Sequence, residues 1–299
     1  MDGIRYAALS YPQSSNLGDD IQSLAGEQFL PRVDRYLDRD GLDGPIDDGP
    51  YVTMMNGWYL EHPQHWPPGP AVIPVLSGFH ITATNRSSDL LMSGAGREFL
   101  TDHQPIGCRD RFTRDLLISH GIEATYVGCP TITFPDRGPA PDADRVFLVQ
   151  TEGIRVPPAL AKNAKKIDQR VASWVSAQTR RQLAVELLDV YRRHARLVIT
   201  TKLHCALPCA AMGIPVVLFG DPADPRLTPA REAIGINEFR ADRLTTTFAG
   251  RMRRRRENQR IAREVDWNPK APDLSEIKTR VSDDFTLRVE RAVEIAAHL

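Results

Sequence analysis

The segment from Leu197 to Pro208 (Leu-Val-Ile-Thr-Thr-Lys-Leu-His-Cys-Ala-Leu-Pro) constrains the fold more than any other stretch of the chain. Leu197 to Thr201 are apolar or β-branched and read as a buried strand. A helix follows, with Pro208 assigned to its first turn, where a missing N–H costs little. Gly213 suits the end of that helix. Val216 to Phe219 then resume as a second strand, closed by Gly220. The result is a short strand–helix–strand unit, and an open sheet built from such units binds ligands at the carboxyl ends of its strands. Lys202 and His204 stand at that end, beside a helix start whose free N–H groups favour an anion.

The same alternation extends in both directions. Upstream, Ile4–Leu9, Tyr51–Met55, Val72–Leu76, Pro105–Cys108 and Ala124–Val127 read as strands. Helices are expected over about Asp19–Phe29, capped by Asp19 or Asp20, and over Arg111–His120, stopped by Gly121. The loop Asp136–Asp142, rich in Pro, Gly and Asp, is the best linker candidate. Beyond it Arg145–Val149 restarts the pattern as a strand, Gln182–His194 as a helix, and Asp284–Leu299 reads as a final amphipathic helix. A chain of 299 residues exceeds a typical single core, which favours two domains. The expected architecture is therefore α/β, with two Rossmann-like domains facing a cleft. Their bounds are 1–138 on the acceptor side and 143–283 on the donor side, with 284–299 as a terminal helix.

Composition excludes several classes of function. Hydrophobic residues at 41% and charged residues at 25% describe an ordinary soluble protein. A net charge of zero argues against nucleic acid as a general partner. No apolar run approaches the roughly 18 residues of a membrane span. Met1 to Arg5 lack a signal-peptide pattern, so a cytoplasmic location is expected. Cys108, Cys129, Cys205 and Cys209 are too few for a disulfide framework. Cys205 and Cys209 share a helix face, but two further ligands at zinc spacing are missing, so buried free thiols and no metal are expected.

Four segments carry a family resemblance. The run Val198 to Pro208, followed by Ala211-Met212-Gly213-Ile214-Pro215-Val216-Val217, resembles the C-terminal signature of the polysaccharide pyruvyl transferase family. Asn16-Leu17-Gly18-Asp19-Asp20 resembles that family's N-x-G-D loop, Ile106 to Thr113 its R-D motif, and Val127 to Pro130 the segment after it. The segments lie in the family's order. The resemblance implies a GT-B-like fold. It also implies transfer of a pyruvyl group from phosphoenolpyruvate to two hydroxyls of one sugar, giving a cyclic ketal and phosphate. Phosphoenolpyruvate is then a donor substrate, no cofactor is needed, and the acceptor is a saccharide. The family usually has Arg where this chain has Lys202, which keeps the charge and loses the planar fork.

Residue by residue, the spacing of His204 alone fits a core histidine hydrogen-bonded near a strand end, whereas with the motif around it His204 is the expected acid or base, since a ring titrating near neutrality suits proton transfer to the donor's methylene carbon. Arg109 either grips a substrate or makes a structural ion pair with Asp110. Lys202 is assigned to the donor anion. Asn16, Gly18 and Asp19 combine helix capping with substrate binding. The loops Asn56-Gly57-Trp58-Tyr59 and Ser77-Gly78-Phe79-His80 each follow a strand, placing Asn56, Gly57, Ser77 and His80 at the cleft, with His80 the second-choice acid or base. Trp58, Trp66 and Phe79 either stack on a sugar or fill the core. The basic run Arg251–Arg256 is either a solvated helix face or a patch for anionic lipid, the latter implying peripheral membrane contact and a lipid-linked acceptor at the inner membrane face. Two other functions fit the pattern less well. One is a glycosyltransferase with a nucleotide-sugar donor and Glu152 on its ribose; the other is a non-catalytic glycan- or anion-binding protein.

Overall fold

The computed structural model describes residues 3–59, 63–82, 87–239, 258–261 and 263–299. The basic run 251–256 lies outside them. The N-terminal half begins with β1 (Arg5–Ser10), whose four central residues are buried, and α1 (Leu17–Glu27). Strands β2 (Arg35–Asp38), β3 (Tyr51–Met54), β4 (Gly57–Tyr59), β5 (Val72–Val75), β6 (Phe79–Ile81), β7 (Ile106–Cys108) and β8 (Ala124–Tyr126) follow. They pair in parallel in the orders β2-β1-β3-β5 and β4-β6-β7-β8. Backbone bonds knit the two sets together: Met55 N–H to the Val75 carbonyl (3.0 Å), Gly57 N–H to Gly78 (3.1 Å) and Gly107 N–H to Leu76 (2.9 Å). In effect β3–β4 and β5–β6 are two long strands, kinked at Gly57 (φ 137°) and Gly78 (φ 67°). Only glycine adopts such angles freely, and a Cβ at Gly57 would lie 2.7 Å from Gln22 Nε2.

The C-terminal half carries β9 (Arg145–Val149), β10 (Lys165–Ile167), β11 (Ala195–Thr200), β12 (Val216–Gly220) and β13 (Asn237–Glu238), in the parallel order β10-β9-β11-β12-β13. The central β11 is apolar from Leu197 to Ile199, where both its faces are covered. Among the described residues, strands on either side of the Pro/Gly/Asp loop pair only within their own half. The mixed α/β pattern with parallel sheets is thus Rossmann-like.

The hydrophobic interior is continuous across the two halves. One buried cluster contains Val52 and Val75 from the first sheet, Phe147 and Val198 from the second, and Ile21, Leu188 and Phe285 from helices. Polar ties reinforce it. The Leu17 N–H donates to the Gln169 carbonyl (2.9 Å) and the Val171 N–H to Ser15 (2.8 Å). Arg180, on the helix Ala177–His194 and with no side-chain exposure, donates through Nε to Asp20 Oδ2 at 2.5 Å.

Several local expectations need correction. Asn16, not Asp19 or Asp20, caps α1: its Oδ1 accepts from the Gly18 N–H at 3.1 Å. Strands β2, β4, β6, β10 and β13 are two to four residues long, too short to show a period in the sequence. The last helix runs Ser275–Ala297, nine residues earlier than read, and returns to the first half. There Phe285 stacks on Phe29 and Ser77 donates to Asp284 at 3.0 Å.

Candidate active site

The helix after β11 runs Leu203–Ala211, so it starts five residues before Pro208 and places that proline in its interior. The consequence is local and specific. Pro208 has no N–H for the carbonyl four residues back, and its ring crowds that carbonyl. The residue four back is His204, the one position in this helix with non-helical angles (φ −82°, ψ 20°). His204 therefore leaves the helical path on the first turn. Its Nε2 is buried without a partner, although the residue as a whole keeps some exposure. A Cβ on Gly18 would meet the His204 Cβ at 3.3 Å, so the start of α1 packs against His204.

His80 occupies β6 in the other half and is almost fully buried. Its Nδ1 lies 2.5 Å from Asp110 Oδ2, and its Nε2 is buried with no partner. Asp110 caps the helix Arg111–Ser119, accepting from the Thr113 N–H at 2.8 Å, while Thr113 Oγ1 donates to Asp110 Oδ2 (3.2 Å) and accepts from the Ile81 N–H (3.1 Å). The charge of Arg109, itself buried, acts on both rings. Its Nη1 donates to Gln22 Oε1 at 2.7 Å, and its Nε has no partner. Arg109 is therefore not the ion-pair partner of Asp110.

Electrostatics make both rings neutral. Burial and then the Arg109 charge push His204 down to about 3, against a hydrogen bond with the Gly18 backbone. The same two causes push His80 down to about 4, although Asp110 works the other way. Burial raises Asp110, but its hydrogen bonds to His80 and the Thr113 N–H and the nearby Arg109 charge prevail and hold it below the usual carboxylate range. The expectation that His204 titrates near neutrality is thus not met in the free protein.

Two more cations complete the cluster. Lys202 is half-buried, and burial, then Arg170 and Arg226, lower its pKa. Arg226 lies on the turn Pro225–Leu227 after β12, at the sheet edge that carries Lys202 after β11. Asp224 holds its Nε (3.0 Å) and Nη2 (2.7 Å), leaving Nη1 without a hydrogen bond among the described residues. Its charge depresses His80, His204 and Lys202 alike. Arg109, Lys202 and Arg226 surround two neutral rings with a surplus of positive charge at the ends of parallel strands, an arrangement suited to a small polyanion.

Residues 92–221 match the polysaccharide pyruvyl transferase family. A comparison with curated proteins gives no match. The matched segment contains Arg109, Asp110, Lys202 and His204. No described helix is long and apolar enough to cross a membrane.

The other sequence-predicted residues divide into two groups around this cluster. Gly18 abuts His204. Asn16 caps α1 beside it, and Asp19 accepts from Ser14 Oγ at 2.5 Å, with burial pushing its carboxyl up. Asn56 donates to the Gln22 carbonyl at 2.7 Å and Gly57 lies against the Gln22 amide, so both support the residue that holds Arg109. Ser77 instead spends its hydroxyl on Asp284. Phe79 and Tyr59 stack in the core (4.7 Å) and Trp66 packs on Phe99, while Trp58 lies under the Arg39 guanidinium. Glu152 acts on Lys202 only as a nearby charge. All four cysteines are free and buried, and no group of three metal-binding side chains occurs among the described residues.

Gln22, Asp110, Thr113 and Arg226 were missed in the sequence. Asp110 and Thr113 carried a legible signal, the three-residue spacing of a side-chain helix cap. Gln22 and Arg226 carried none, because only the packed fold brings them to the cluster.

Proposed function

We propose that the protein transfers a pyruvyl group from phosphoenolpyruvate to two hydroxyls of one sugar of a polysaccharide, forming a cyclic ketal and releasing phosphate. The observation that carries this reading is the pair of buried neutral histidines with free Nε2 atoms, set among Arg109, Lys202 and Arg226. In this reading the two halves are domains divided at residues 136–145, facing a cleft in the GT-B manner. Lys202 and the free Nη1 of Arg226 bind the donor's anionic groups, and Arg226 restores the guanidinium that the Arg-to-Lys change removes. His204 donates a proton to the methylene carbon as a sugar hydroxyl adds to the neighbouring carbon. The second hydroxyl then displaces phosphate. Of the two hydroxyl protons, one replaces that given to the new methyl group and the other leaves with phosphate.

The test is phosphate release from labelled phosphoenolpyruvate in the presence of a glycan panel, with the ketal identified on the product. His204→Gln should fold, bind the donor and turn over at least about a hundredfold more slowly, the lower end of the usual contribution of a positioned proton donor. Wild-type turnover in that variant would make His204 a core residue.

A further inference from the structure

We infer that Asp110 is a positioning residue that locks His80 with its proton on Nδ1, so that Nε2 presents a lone pair as the general base for the attacking sugar hydroxyl. The inference rests on the pyruvyl-transfer reading.

Its basis is a hydrogen-bond count. Both Asp110 oxygens are acceptors in use: Oδ1 takes the Thr113 N–H, and Oδ2 takes Thr113 Oγ1 and faces His80 Nδ1 at 2.5 Å. An ionised carboxylate only accepts, so Nδ1 must carry the hydrogen. Thr113 Oγ1 also lies 3.3 Å from Nδ1, but a hydroxyl proton turned there would leave the shorter 2.5 Å contact between Nδ1 and the Asp110 carboxylate without a hydrogen. In a neutral ring Nε2 is then a bare acceptor. It is buried and unpartnered, in a residue 1% exposed, which marks a position held open for a donor group.

Location assigns that donor. His80 belongs to the first half, whereas Lys202 and Arg226 belong to the second, so the anion-binding cations and the base enter the cluster from opposite sides. The charged and titratable groups around the ring are Asp110 and Arg109 from the segment after β7, Arg226 from the turn after β12, and His204. Only Asp110 favours a proton on His80; the two arginines oppose it. The step balances: the hydroxyl proton passes to His80 Nε2 as its oxygen bonds to the donor's central carbon, the carbon–carbon double bond opens, and the methylene carbon takes the His204 proton.

The test begins with ¹⁵N-histidine NMR of the wild-type protein at pH 7, which reads the His80 tautomer without substrate. Nδ1–H is expected, and Nε2–H would overturn the inference. Asp110→Asn keeps an oxygen for the Thr113 cap but can turn an N–H toward Nδ1, which moves the ring proton to Nε2. That variant should bind phosphoenolpyruvate with little change in KM and lose at least about a hundredfold in kcat. Wild-type kcat would overturn the base role. If Asp110→Asn fails to fold, His80→Gln supplies the same kcat comparison. A wild-type protein with the Nδ1–H ring but no phosphate release with any glycan would overturn the transfer reading, and the base role with it, while the intact tautomer separates that failure from failure of the dyad.

Discussion

Donor binding is expected to draw a proton from solution onto His204. In the free protein burial and Arg109 hold that ring at about 3, so it is neutral at physiological pH and cannot act as an acid. Serving as the donor of a proton near pH 7 requires a rise of roughly four units, or about 5–6 kcal/mol. A unit charge about 4 Å away contributes about 4 kcal/mol at the effective dielectric of a partly buried pair. A carboxylate alone falls short, whereas a phosphate dianion, at about 8 kcal/mol, is sufficient. The phosphate must therefore lie next to His204, with the carboxylate further off. Calorimetry in buffers of different ionisation enthalpy measures the linked proton directly. About one proton should be taken up per phosphoenolpyruvate at pH 7.5, with little uptake for pyruvate. His204→Gln should abolish the uptake and His80→Gln should largely retain it. A binding heat independent of buffer would refute the reasoning.

Four further outcomes are expected. Arg180→Met removes three hydrogen bonds, two to Asp20 and one to the Ser14 carbonyl, and strands a buried carboxylate. It should cost about 3–5 kcal/mol. With an unfolding entropy of about 2.1 cal/mol/K per residue, this lowers Tm by about 5–8 °C, measurable by calorimetry. Pro208→Ala gives the His204 carbonyl a helical partner and draws the ring toward the helix path; phosphate release should fall at least about tenfold without loss of fold by circular dichroism. Lys202→Ala should raise KM for phosphoenolpyruvate, while Lys202→Arg should lower it in an Arg226→Ala background, as steady-state kinetics would show. His80 and His204 have native pKa values of about 4 and 3, below the ordinary 6.5. Their contribution to stability is intact above about pH 6.5 and declines as pH falls toward the native values, because only the unfolded chain takes the proton. Between pH 7 and pH 5 each ring should cost about 2 kcal/mol, read from urea midpoints, and each His→Gln variant should flatten the dependence.

The long elements were legible because their residues repeat a physical requirement. β11 is apolar from Leu197 to Ile199, where it is buried on both faces, and Gly213 ends the helix after it since the chain needs a positive φ there. The strand end bearing Lys202 and His204 was therefore visible as a candidate anion-binding corner. Strands β2, β4, β6, β10 and β13 were not, and β4 and β6 are the pieces that the kinks at Gly57 and Gly78 split from two long strands. Pro208 was misread because sequence marks a proline's preference and not the bend that a packed helix accepts around it.

The chemistry divides along the same line. Residue types and their order were enough to single out His204, Lys202 and Arg109 as candidates. Their protonation was not, because a histidine's pKa depends on what surrounds it in space. His80 and Arg226 reach His204 from segments more than 20 residues away on either side, and His80 becomes a one-tautomer ring only because β6 and β7 lie side by side. Sequence thus singled out His204, Lys202 and Arg109, while the tertiary structure added Gln22 and Arg226 and decided which groups are neutral, paired or left open to a ligand, since burial and Coulomb fields act through distance and not through position along the chain.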